Sequence, residues 1–192
     1  NLDYLPALDQ GLFLGVSAIT TTGFCFAIVH MWASVTILFL AMLAFIGGAS
    51  GSTAGGIKLH RVMLAVRALL WWFKRFFVSG KVLMPFRLGG RVIPKATAEL
   101  EVAKNMLVII LSVAVIFVAT LAVIQFHITS FSLTEIVLDV VSAFSTCGIG
   151  SGYVSSDMPV ISKWIFICVM WVGRLEVIPV VMLVLALFGR QE

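Results

Sequence analysis

Charge is scarce in this 192-residue chain: Asp, Glu, Lys and Arg together make up 11% of it, against 61% hydrophobic residues. A water-soluble domain of this length needs far more polar surface, so the deficit excludes one and points to lipid as the solvent. Cysteine is also sparse. Cys25, Cys147 and Cys168 have no metal-like or redox spacing and read as small apolar filler. No Ser-His-Asp, Cys-His or paired-carboxylate set can be assembled, so the chain is not expected to be an enzyme, and no cofactor is implied. His30, His60 and His127 fall near the ends of apolar stretches without mutual metal spacing, and they read as interface residues. Trp32, Trp71, Trp72 and Trp164 fit an aromatic belt. The opening residues 1–10 carry no basic n-region before an apolar run, so no signal peptide is expected. With Asn1 in place of Met, the chain reads as part of a longer protein.

The few charges are unevenly spread. Ten of the 13 basic residues lie between positions 58 and 104, opposed there only by Glu99 and Glu101. A basic run can mark a nucleic-acid surface, but apolar spans flank this one on both sides. The positive-inside rule makes it a cytoplasmic connector, with no nucleic acid as partner.

Five stretches follow along the chain. Residues 7–22 form an apolar segment too short to span, which reads as a re-entrant helix. Residues 31–46 are apolar and run into a Gly-rich break at 47–56, after which residues 57–73 recover a basic helical pattern. Residues 74–101 form a mixed connector with Gly80, Pro85, Gly89, Gly90 and Pro94 as breakers. Residues 102–126 are the cleanest span. Residues 133–146 form a second short re-entrant segment, capped by Ser132 or Thr134, with Glu135 suited to the helix dipole. Residues 160–188 form the last span, carrying Arg174 and Glu176. With the connector inside, both re-entrant loops open outward. Asp3, Asp9, Glu135, Asp139 and Asp157 fall on that side, either as cation-attracting charges at a mouth or as ordinary caps and loop charges.

One string occurs twice. Residues 16–24, VSAITTTGF, align without a gap on residues 141–149, VSAFSTCGI. Each copy ends a re-entrant segment, and non-helical backbone at that depth is tolerated only where it lines a cavity or is buried in protein. The carbonyls of Thr21, Thr22, Gly23 and Phe24, with those of Thr146, Cys147, Gly148 and Ile149, are therefore candidates for a ring around a dehydrated potassium ion. The alternative is a pair of helix-terminating glycines. Gly47, Gly48, Gly51, Gly55 and Gly56 punctuate the break between two helical patterns. Their spacing before Lys58 does not match a phosphate loop. A displaceable gating loop and a hinge of small residues are the two readings left. Arg174 lies within a span, where a charge must face a cavity or a partner. It is expected to reach the Gly-rich loop or to set an electrostatic barrier, with snorkelling to an interface as the alternative.

These residues together resemble the Trk/Ktr/HKT superfamily of potassium transporters, in particular its TrkH-like membrane subunits. The resemblance rests on the 17–24 loop, the 47–58 stretch, the 145–150 loop and the 173–176 step, and it covers essentially the whole chain. It implies an all-α membrane protein built from repeats of outer helix, re-entrant pore helix, filter loop and inner helix around one pore. It assigns residues 1–73 to a third repeat lacking its outer helix, 74–101 to the connector and 102–192 to a complete fourth repeat. This is the C-terminal half, which needs the N-terminal half of the same chain to close the pore. Gly23 and Gly148 become filter glycines, residues 47–56 the gating loop of a broken inner helix, and Arg174 its neighbour. Cys147 departs from the usual Val or Thr at its place. The implied function is potassium uptake, multi-pass in the cell inner (plasma) membrane, as a homodimer with a cytosolic nucleotide-binding regulatory subunit of the TrkA or KtrA type. A less selective potassium/sodium pore, a secondary transporter of another solute, and a non-transporting anchor are the alternatives.

Overall fold

The computed structural model describes residues 4–49, 51–52, 54–77, 86–88, 91–93, 95–126, 131–175, 179–180, 182–183 and 186. Helix α1 (Tyr4–Ile19) and helix α5 (Leu133–Phe144) are the two short segments that end in the repeated string. Ser132 is the residue that starts α5: its N–H donates to Glu135 Oε2 at 2.7 Å. That bond satisfies a donor the helix cannot, and the acid also offsets the helix dipole.

Helices α2 (Ser34–Phe45) and α3 (Leu59–Phe77) are the two halves of an interrupted segment. At 1.5 Å per residue α2 is only about 18 Å long, too short to cross the roughly 30 Å of hydrocarbon. The break is a closed loop. Strands β1 (Ile46–Gly47) and β2 (Ile57–Lys58) pair in parallel, Ile46 with Ile57 and Gly47 with Lys58. The Leu59 N–H then donates to the Gly48 carbonyl at 3.1 Å. The chain thus leaves the helical path, makes its excursion and rejoins beside its point of departure.

The segment 74–101, expected as a connector, overlaps a helix at each end. Helix α3 runs on to Phe77, and helix α4 (Lys95–Phe126) begins well before residue 102. Between them β3 (Phe86–Leu88) pairs antiparallel with β4 (Arg91–Ile93), Leu88 opposite Arg91. Residues 78–85, with Gly80 and Pro85, and also Gly89, Gly90 and Pro94, lie outside the described residues. Within α4, Glu99–Phe126 is, among the described residues, the one helix long and apolar enough to cross a membrane. Helix α6 (Val160–Leu175) covers the first part of the last expected span, and Glu176 lies outside the described residues.

Two buried clusters hold the helices. Leu14, Ile37, Leu138 and Ile149 join α1 and α2 to α5 and the loop after it; Val123, Ile136, Phe144 and Phe166 join α4, α5 and α6. The first cluster is the one that packs the two copies of the repeat together. Outward, α4 exposes Leu107, Ile110, Val113, Phe117, Val118 and Leu121, a continuous apolar surface. Near its start the buried Asn105 is satisfied twice, by Arg61 Nη1 at 3.3 Å and by the Glu101 carbonyl at 2.7 Å. The Arg61 bond ties α3 to α4, while the Glu101 bond stays within α4.

Candidate functional site

The repeated strings fold as the same turn. After α1, the N–H groups of Thr20, Thr21 and Thr22 donate to the carbonyls of Val16, Ala18 and Ser17 at 2.9, 3.1 and 3.0 Å. After α5, those of Ser145, Thr146 and Cys147 donate to Val141, Ala143 and Ser142 at 2.8, 3.1 and 2.9 Å. Both are Schellman turns, whose left-handed residue is normally glycine. Here it is threonine: Thr21 and Thr146 both have φ of 52°. A β-branched residue held there costs about 1–2 kcal/mol, and such strain clusters at functional sites. The alternative of two helix-terminating glycines is thereby corrected. The glycines come two residues later, Gly23 with φ of 80° and Gly148 with φ of 94°.

Each turn is held from behind by a serine that sequence reasoning did not single out. Ser17 Oγ donates to the Phe24 carbonyl at 2.9 Å, and the Gly148 N–H donates to Ser142 Oγ at 3.0 Å. These two serines occupy matching places in the repeat, so the alignment itself was the available signal. The two loops also touch. A Cβ on Gly23 would collide with the Cys147 carbonyl. The buried Cys147 thiol packs toward the Ser17 carbonyl, Sγ to O 3.8 Å, so its side chain faces the neighbouring repeat. The loop ends differ: Phe24 is exposed and Ile149 is fully buried.

The Gly-rich loop abuts both left-handed threonines. A Cβ on Gly47 would stand 2.8 Å from Thr21 Cγ2, and one on Gly55 would stand 2.8 Å from both the Ser145 carbonyl and Thr146 Oγ1. Gly48 and Gly56 pack within the loop and at its return, whereas Gly51 has open space beside it. The other small residue that allows close approach is Gly173. A Cβ there would run into the Phe144 carbonyl, so α6 lies directly against the end of α5. That contact brings the next residue, Arg174, to a cavity of about 710 Å³ that Thr21, Gly48, Ser52, Ala54 and Thr146 also line. Residues expected to form filter, gate and charge therefore share one cavity. Arg174 thus lines the same cavity as the Gly-rich loop, as the first of its two readings expects.

The acids behave differently from the mouth charges considered above. Glu135 and Asp139 are buried, 4% and 2% exposed, and both are engaged. Glu135 meets His30 as well as Ser132, while Asp139 accepts from the Ser151 N–H at 2.6 Å and from Ser151 Oγ at 3.0 Å. A buried, paired carboxylate projects little field into solvent, so these two do not act as mouth charges. Asp157 remains exposed, and Asp3 lies outside the described residues. His30 is a buttress between the repeats rather than a residue facing an interface alone. His127 lies outside the described residues.

The chain is similar to known transport proteins along nearly its whole length. The family model for TrkH, a cation transport protein, matches residues 6–188. The chain is 33% identical over 98% of its length to an uncharacterized cation transporter, MJ1485, of Methanocaldococcus jannaschii. It is 31% identical over 97% of its length to the Trk system potassium uptake protein TrkH of Escherichia coli K12, and 27% identical over 94% to the Ktr system potassium uptake protein D of Bacillus subtilis. It spans 37–38% of the length of these three proteins. The crystal structure of the potassium transporter TrkH from Vibrio parahaemolyticus superposes with a TM-score of 0.77 at 26% identity, over 95% of this chain and 38% of that one. With the family model covering nearly every residue, the chain belongs to the TrkH family of cation transport proteins.

Proposed function

We propose that the chain supplies two repeats of a pore that takes potassium up across the cell membrane. Residues 1–73 form one repeat and 102–192 the next. The observation that carries this reading is the doubled turn, in which strained Thr21 and Thr146 stand at equivalent places with the Gly-rich loop against both. In each copy φ is positive at the threonine and again at the glycine two residues on. Alternation of this kind lets successive carbonyls share one side of the chain, where they replace the hydration shell of a potassium ion. The C-terminal ends of α1 and α5 add their partial negative charge at the same place.

The loop at 47–56 then obstructs the cavity beneath the carbonyls, and Arg174 sets the electrostatic height of that obstruction. Potential drives the ion inward, and no reacting group is needed. Two repeats do not close a ring, so the N-terminal half of the longer protein completes the pore. A second copy and a cytosolic nucleotide-binding subunit of the TrkA or KtrA type are the proposed partners in an inner membrane. The proteins named for potassium uptake among the relatives support potassium over other solutes.

Rubidium uptake by the full-length protein tests the proposal, in cells stripped of their own potassium uptake and with excess sodium present. Uptake that resists sodium is expected. Uptake suppressed by sodium would point to a less selective cation pore, and competition by a non-cationic solute would point to a secondary transporter.

A further inference from the structure

Asp139 sits in the middle of α5, 2% exposed, with both carboxylate oxygens bonded to Ser151 and a further hydrogen bond from the Val154 backbone. Oδ1 accepts the Ser151 N–H at 2.6 Å and Oδ2 accepts the Ser151 hydroxyl at 3.0 Å. Ser151 lies three residues beyond Gly148, on the strand of chain that leaves the turn, and is itself buried. At the other end of that segment Ser142 Oγ holds the Gly148 N–H at 3.0 Å. The stretch 148–151 is thus pinned twice to the same helix face, by residues three apart that lie one above the other.

The first repeat has no such clamp. Carrying the offset between the two strings two residues beyond each end places Leu14 where Asp139 stands and Phe26 where Ser151 stands. Leu14 is fully buried in the apolar cluster, while Phe26 is exposed and packs edge-on against Phe13, ring centroids 4.9 Å apart. A buried acid is costly unless its hydrogen bonds are complete. One repeat carries that cost in a position the other fills with leucine, so packing alone does not require it.

We propose that Asp139 is a positioning residue for ion selection: by fixing Ser151 it holds the carbonyl-bearing segment 147–149 at the spacing that favours potassium. This inference deepens the function proposed above and rests on it. A carbonyl segment free to shift would adapt to a smaller ion as readily as to potassium. One pinned at both ends pays strain to contract.

The test is sodium competition of rubidium uptake in the full-length protein, for wild type, Asp139→Asn, Ser151→Ala and Asp139→Leu, each normalised to protein in the membrane. Asp139→Leu, which installs the first repeat's residue, is expected to lower rubidium-over-sodium discrimination about tenfold or more. Ser151→Ala keeps the N–H bond and is expected to lower it a few-fold, and Asp139→Asn, which keeps an acceptor, by a similar amount. A merely structural role would reduce both fluxes together and leave their ratio unchanged. Wild-type ratios in Ser151→Ala and Asp139→Asn would overturn the inference, even where Asp139→Leu fails to reach the membrane. A wild-type protein that does not discriminate at all would overturn the proposed selectivity as well, which separates the two failures.

Discussion

His30 Nδ1 lies 2.5 Å from Glu135 Oε1, joining residues 105 positions apart. The histidine belongs to the short turn Val29–Met31 that follows the first loop, and the glutamate to the first turn of α5. The His30 ring also meets Phe131 edge-on, with centroids 5.6 Å apart. Glu135 therefore does two jobs: it caps its own helix through Ser132 and latches the preceding repeat to it.

His30→Ala removes the latch and leaves one oxygen of a buried carboxylate unpartnered. A loss of about 1–3 kcal/mol is expected. The melting temperature of the purified full-length protein should fall, and His30→Gln should recover part of the loss.

The two loop glycines should respond differently to substitution. Both have positive φ, but a Cβ at Gly23 strikes the Cys147 backbone whereas one at Gly148 meets nothing within 4 Å. Gly148→Ser is expected to cost about 1–2 kcal/mol of backbone strain and to lower the rubidium-over-sodium ratio while the protein still assembles. Gly23→Ala adds a collision with rigid backbone, and folded protein in the membrane should drop sharply. Ion competition and detergent-resistant yield, measured on both, separate the effects.

Gly173→Ala sets two effects of opposite sign against each other. Alanine favours a helix over glycine by about 1 kcal/mol. The Phe144 carbonyl it would strike is backbone and cannot swing aside, so overpacking of about 1–3 kcal/mol should dominate. Thermal unfolding should show net destabilisation; a stabilised variant would mean that α6 does not press on the end of α5.

Arg174→Ala should raise rubidium flux without changing the ion ratio. Arg174 lines a cavity shared with Thr21 and Thr146, and positive charge beside an ion's path opposes a cation by about 1–3 kcal/mol. Flux at fixed membrane potential should rise about tenfold. A fall instead would assign Arg174 to holding the loop in shape.

Much of this was legible before folding. The repeat of 16–24 at 141–149 located both turns, and the glycines at 47–56 located the break between α2 and α3. The boundaries were less legible. Lys95 and Glu99 are good helix formers, so α4 extends into what composition marked as connector, and the pairing of Phe86–Leu88 with Arg91–Ile93 is hidden in a segment full of breakers. The acids were half legible: Glu135 read correctly as a first-turn acid of its helix, but its burial and that of Asp139 did not show. Only the partners Ser151 and His30, 12 and 105 residues away, reveal Glu135 and Asp139 as buried.

Local chemistry was enough to determine the membrane setting, the two short helices and the Gly-rich interruption. Each depends on composition and spacing within a few tens of residues. The tertiary structure alone decided what those parts do to one another. It set Gly23 against Cys147, Gly55 against Thr146 and Gly173 against Phe144. Such contacts depend on whether a Cβ is absent at a point where two backbones cross. A sequence records that the Cβ is missing, but only the fold shows which carbonyl occupies the space.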